Sequence, residues 1–116
     1  YIGSLGSLYE EINLVFFQSA KATPLFHPQR EIYSMMKSAL VVAGLDPSGG
    51  AGILLDTKVF SHFKVPSAGV ITANTVQNSC GAFGYTVTDT ALFKQQLLRL
   101  KEDFTFGVAK IGMLAR

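Results

Sequence analysis

The residues with chemistry to offer fall into three groups along this chain. The first is Asp46-Pro47-Ser48-Gly49-Gly50-Ala51-Gly52, a glycine-rich bend between an apolar run and a helical pattern. Such a bend leaves backbone N–H groups without helical partners at the positive end of a helix dipole, where an anion or polar ligand is well received. The alternative is a turn whose glycines only supply positive φ and close packing. The second is Asp56, one turn into the helix, which either bonds the amides of its own loop or reaches a ligand. The third is the polar stretch Asn74, Thr75, Gln77 and Asn78. An amide side chain carries both a donor and an acceptor, which suits a heterocycle presenting the complementary pair; the alternative is a turn bonded to its own backbone. Lys110, inside an apolar run, implies a sheet-end position or a buried partner. Cys80 is the lone cysteine, and His27 and His62 lack ligand spacing, so no metal site follows.

These groups need a scaffold. The run Ala39–Ala43 reads as a buried strand, followed by the loop and a helix over about residues 51–64 that Pro66 stops. Ala68–Ala73 is a second strand, and residues 74–84 form a polar stretch leading on through Tyr85-Thr86-Val87. Thr88 or Asp89 caps the next helix, in which Phe93, Leu97 and Leu100 recur at helical spacing. It ends near Asp103, and Gly107–Gly112 is a third strand. The order β-α-β-α-β, with near-continuous apolar strands, predicts an α/β fold with a parallel sheet covered on both faces. Ligands in such sheets bind beyond the carboxyl ends of the strands, where the loop after Gly44, the stretch after Ala73 and Met113-Leu114 converge. At about 100° per residue, the first helix places Ile53, Leu55, Val59, Phe60 and Phe63 in one sector. Asp56 lies in the middle of that sector, Thr57, Lys58, Ser61 and His62 lie opposite, and Leu54 does not fit. A buried carboxylate costs roughly several kcal/mol unless paired, so Asp56 is expected to have a specific partner.

Composition narrows the function classes. The chain has 116 residues, 48% hydrophobic and 16% charged, enough for one domain with a core. A net charge of +2, with no basic cluster, argues against nucleic acid. No run is long enough to span a membrane, and one cysteine fits a reducing cytoplasm. Residues 1–37 differ in texture: residues 8–17 suit a short helix with an apolar knot at Leu14–Phe17, and residues 22–28 a proline-bounded linker. Both ends read as cut, and Met35 and Met36 before the first strand mark an expected natural start. The expected division is an N-terminal extension over 1–37 and a domain portion over 38–116.

The ordered set Ala43-Gly44-Leu45-Asp46-Pro47-Ser48-Gly49-Gly50-Ala51-Gly52-Ile53, Asp56 and Lys58, Val70-Ile71-Thr72-Ala73 with Gln77-Asn78, and Lys110-Ile111-Gly112-Met113-Leu114 resembles the hydroxymethylpyrimidine/phosphomethylpyrimidine kinases. These are thiamine-biosynthesis enzymes of the ribokinase-like superfamily. The resemblance covers about residues 38–116 and implies the N-terminal part of a ribokinase-like three-layer sandwich. It implies phosphorylation of 4-amino-5-hydroxymethyl-2-methylpyrimidine and then its monophosphate, with ATP and magnesium. By motif, Gly44, Asp56 and Gln77 match pyrimidine-site positions, with Gln77 reading the amino and nitrogen edge of the ring. Met113 matches a residue packing on the ring. Thr75 stands at a wall position usually aliphatic in the family, and Asn74 also departs from the usual apolar choice. The resemblance places the ATP surface and the glycine-rich catalytic motif in the second half of the family's chain, expected beyond Arg116. No catalytic residue, ATP site or metal site is therefore expected here, and the segment alone is expected to be inactive. The loop at 46–52 lacks the Gly-Lys-Ser/Thr ending of a phosphate-binding P-loop. A pyridoxal-type vitamin kinase and a non-catalytic pyrimidine-binding segment are the alternatives, and the resemblance is compatible with a homodimer of the full-length enzyme.

Overall fold

A computed structural model describes residues 35–115. The expected helix at 8–17 and linker at 22–28 lie outside the described residues. Six elements follow in order: β1 Lys37–Leu45, α1 Gly52–His62, β2 Ser67–Asn78, β3 Gly81–Val87, α2 Thr90–Asp103 and β4 Thr105–Ile111. They build one four-stranded sheet in the order β3-β2-β1-β4.

β1 is central because it is apolar on both sides. Ala39, Leu40, Val41, Val42 and Ala43 are all buried, as a strand covered on both faces requires. Alternate residues serve opposite layers. Leu40 and Val42, with Val70, pack on Phe93 and Leu97 of α2; Val41 and Ala43 pack on Ile53 of α1. β1 pairs in parallel with β2 from Ala39↔Ser67 onward and with β4 from Lys37↔Thr105 onward. The expected β-α-β-α-β frame of a partial ribokinase-like sandwich is present.

Two local readings change and a third is resolved. The stretch after Ala73 is not only a link: β2 continues to Asn78 and returns as β3, an antiparallel edge strand paired from Ala73↔Val87 to Asn78↔Gly81. Thr75, Val76, Phe83, Tyr85 and Val87 favour extended backbone, and the Asn78 carboxamide oxygen closes the turn by accepting from the amides of Cys80 (2.8 Å) and Gly81 (3.2 Å). The sheet is therefore mixed, with a parallel core. The apolar sector of α1 is also only partly covered. Ile53 is buried, whereas Leu55, Val59 and Phe63 are exposed, because a single helix lies over that face and the stripe's far side meets no other described element. Of the two candidate caps for α2, Asp89 serves, accepting from the Leu92 amide at 3.0 Å.

Candidate functional site: a hollow at the strand ends

The chain leaves β1 at Leu45, bends through residues 46–51 and comes back to form a single antiparallel bridge between Leu45 and Gly52. Gly52 has φ +61°, and a Cβ there would lie 2.2 Å from the Gly44 carbonyl oxygen. Only glycine allows the helix start to press this closely on the strand end. The N-cap residue of α1, Ala51, has no capping side chain. Asp46 acts as an acceptor for the loop itself. It is only 4% exposed, and its Oδ1 accepts from the Ser48 hydroxyl at 2.7 Å and the Ser48 amide at 2.8 Å. The Ser48 hydroxyl holds the Asp46 carboxyl below the usual carboxylate range; burial opposes this, and the amides of Ser48, Gly50 and Ala51 reinforce it.

This arrangement revises the reading of the loop. Its amides serve an internal carboxylate, so they do not form an open cradle for an external phosphate. The internal carboxylate is Asp46 and not Asp56. An aspartate followed two residues later by serine is a known turn-former, a signal present in Asp46-Pro47-Ser48 that the helical pattern of Asp56 overshadowed.

Asp56 has a different partner. Its Oδ2 accepts from Lys110 Nζ of β4 at 2.5 Å, with the carboxylate side chain 15% exposed and the lysine 42%. Both alternatives posed for Lys110 hold: it has a half-buried partner and lies one residue from the end of β4. Gly112 makes room for it, since a Cβ at that position would lie 3.3 Å from Nζ and 2.9 Å from the Ala43 Cβ.

The strand ends enclose a hollow of about 250 Å³ lined by Gly44, Thr75, Gln77, Lys110, Gly112 and Met113, with the loop residues Leu45, Asp46, Ala51 and Gly52. Four of the five residues singled out from the sequence, Gly44, Thr75, Gln77 and Met113, meet here. Asp56 is not among the lining residues and borders the hollow through Lys110. Each wall is fixed by a bond. The Thr75 hydroxyl donates to the Leu45 carbonyl at 2.8 Å, and its oxygen lies 3.1 Å from Gln77 Oε1. Thr72, buried in β2, donates its hydroxyl to the Met113 carbonyl at 2.5 Å. That bond ties the segment after β4 to the middle of β2, and sequence patterning alone gives no sign of it. The Met113 side chain lies over Gly44, where an added Cβ would come within 2.6 Å of its Cε.

Chemically, the hollow offers an amide, an ammonium balanced by a carboxylate, a thioether wall and a side-chain-free floor. Its volume falls below the roughly 300–1,000 Å³ of ordinary ligand clefts, which suits a small ring and not a nucleotide. A larger hollow, about 420 Å³, lies along α2 beside Leu92, Gln95, Gln96, Arg99 and Leu100. Among the described residues, no group of three or more His, Cys, Asp or Glu could hold a metal ion. With the loop amides turned to Asp46, the lining of the strand-end hollow offers no open cradle of amides for the phosphates of ATP. No helix among the described residues is long and apolar enough to cross a membrane.

Comparison with known proteins agrees with this fold. The family model for phosphomethylpyrimidine kinase matches residues 46–116. A hydroxymethylpyrimidine/phosphomethylpyrimidine kinase of Aquifex aeolicus is 43% identical over 77 residues, covering 66% of this chain and 30% of the relative. The crystal structure of phosphomethylpyrimidine kinase from Clostridium difficile 630 superimposes with a TM-score of 0.66 at 39% identity, over 69% of this chain and 35% of that one. The ADP complex of Bacillus subtilis pyridoxal kinase gives a TM-score of 0.62 at 31% identity, over 70% of this chain and 32% of that one. The chain thus spans about 30% of the length of the curated relatives it matches. With the hollow at the strand ends, a parallel α/β core and a family match across more than half of its residues, this chain belongs to the phosphomethylpyrimidine kinase family.

Proposed function

We propose that this chain carries the acceptor-binding end of a kinase that phosphorylates hydroxymethylpyrimidine and its monophosphate in thiamine biosynthesis, with ATP as donor. The observation that carries this reading is the convergence of Gln77, Thr75, Gly44 and Met113 on one hollow of about 250 Å³. In it, the Gln77 amide pairs with the amino group and adjacent nitrogen of the ring, Met113 packs on the ring face, and Gly44 keeps the floor open. Asp56 acts through Lys110. Phosphoryl transfer needs a donor held in line and its developing charge neutralised. These residues supply neither function, so donor binding is assigned to other parts of the family fold. The 116 residues alone are read as binding the acceptor without turnover.

Isothermal titration of the chain with 4-amino-5-hydroxymethyl-2-methylpyrimidine tests the reading. Binding is expected, and Gln77→Ala weakens it by about 1–3 kcal/mol, because the ring's polar edge loses its partner. A folded chain that does not bind the pyrimidine defeats the proposal, as does a Gln77→Ala variant that binds it unchanged. ATP hydrolysis by the chain in the presence of the pyrimidine contradicts the assignment of the donor site elsewhere. A second reading, a pyridoxal-type ring as acceptor, draws support from the 31% identity to a pyridoxal kinase. Tighter binding of pyridoxal than of the pyrimidine in the same titration selects it.

A further inference from the structure

We infer that Lys110, aimed by Asp56, is a specificity-determining donor that recognises the ring nitrogen on the edge opposite the one Gln77 reads. The inference rests on the pyrimidine-site reading above. The sheet order places β2 and β4 on either side of β1, so Gln77 and Lys110 reach the strand-end hollow from opposite sides. Both line the same hollow. That hollow, about 250 Å³, has room for a single six-membered ring, so one ring seated there meets both side chains. When Gln77 holds the amino group on C4 and the nitrogen N3, the atom across the ring from C4 is the second nitrogen, N1, whose lone pair points outward.

The lysine suits this role chemically. An ammonium has three donors; one is committed to Asp56 Oδ2, and that contact fixes where the others point. Its charge is balanced by Asp56, so the hollow need not receive an anion and a neutral lone-pair acceptor is enough. Gly112, with no side chain between Nζ and the floor, leaves the approach clear. A pyrimidine has this second nitrogen, and a ring with carbon at that position does not, so Lys110 discriminates by ring chemistry, whereas Met113 and Gly44 respond only to shape.

The test uses isothermal titration of the 116-residue chain with two ligands: the pyrimidine, and 2-amino-3-hydroxymethyl-6-methylpyridine, which replaces N1 by C–H. Alkaline buffer keeps the pyridine neutral. The wild-type chain is expected to prefer the pyrimidine by about tenfold, the worth of one hydrogen bond. Lys110→Met is expected to abolish that preference and to bind the pyridine as the wild type does, which also shows that the variant is folded. The double variant Asp56→Asn with Lys110→Met, which leaves no unpaired carboxylate, is expected to show the same lost preference. If the wild type binds both ligands equally, or Lys110→Met keeps the preference, the role of Lys110 is overturned while the pyrimidine site stands. If the wild type binds neither ligand, the site reading itself fails, and this inference with it.

Discussion

Two aspartates ten positions apart have different tasks, and their surroundings explain the division. Asp46 sits where loop amides converge and acts as a structural acceptor; Asp56 leans across to another strand and holds a lysine at the edge of the hollow. The lowered Asp46 carboxyl has a consequence for pH. A carboxyl whose folded value lies below its unfolded one adds stability that is fully present above the unfolded value, about 4. That contribution is lost as pH falls through the lower folded value. Thermal melts of the wild-type chain are therefore expected to drop in midpoint below about pH 4, whereas Asp46→Asn is expected to start lower at neutral pH and to decline less on acidification. Parallel slopes for the two proteins would show that Asp46 does not drive the acid limb.

Among the elements, β1 and the start of α1 press closely together at Gly52. Gly52 combines a left-handed φ with a backbone contact that a side chain cannot evade. Gly52→Ala is expected to cost at least about 1–3 kcal/mol in urea denaturation, from strain at positive φ plus the clash. The two helices differ in how firmly they are held. Phe93 and Leu97 of α2 are buried against β1 and β2, while Leu55, Val59 and Phe63 of α1 face outward. Leu97→Ala should cost about 2–5 kcal/mol, and Leu55→Ala under about 1 kcal/mol because its side chain already meets water. Equal losses at the two positions would mean that the α1 stripe is covered in solution. The β2–β3 ribbon matters for a different reason: by extending β2 to Asn78 it carries Thr75 and Gln77 past the end of β1 and turns them into a wall.

For the whole molecule, the order β3-β2-β1-β4 makes the site possible and also exposes a weakness. It sets Gln77 and Lys110 on opposite walls with the glycine floor between them. Among the described residues it also leaves β4 as an outer strand, with Val108 of that strand exposed. An uncovered apolar edge pairs readily with another chain. Sedimentation velocity at rising concentration is expected to show association, and Val108→Lys is expected to reduce it by placing a charge on the edge. Concentration-independent sedimentation of the wild type would show the edge to be protected.

The sequence by itself determined the frame: apolar runs of strand length, a glycine-rich bend and helical spacing at Phe93, Leu97 and Leu100 are local patterns, and local patterns dictate local structure. It also marked Gly44, Thr75, Gln77 and Met113 as residues belonging at the strand ends. The pairings were not legible, because they join residues far apart along the chain: Lys110 with Asp56, Thr72 with Met113, Thr75 with Leu45. A carboxylate at position 56 and a lysine at position 110 each announce a need for a partner, but nothing in one segment names the other. Only the tertiary structure decided those matches, since strand order and register set which side chains stand within hydrogen-bonding distance.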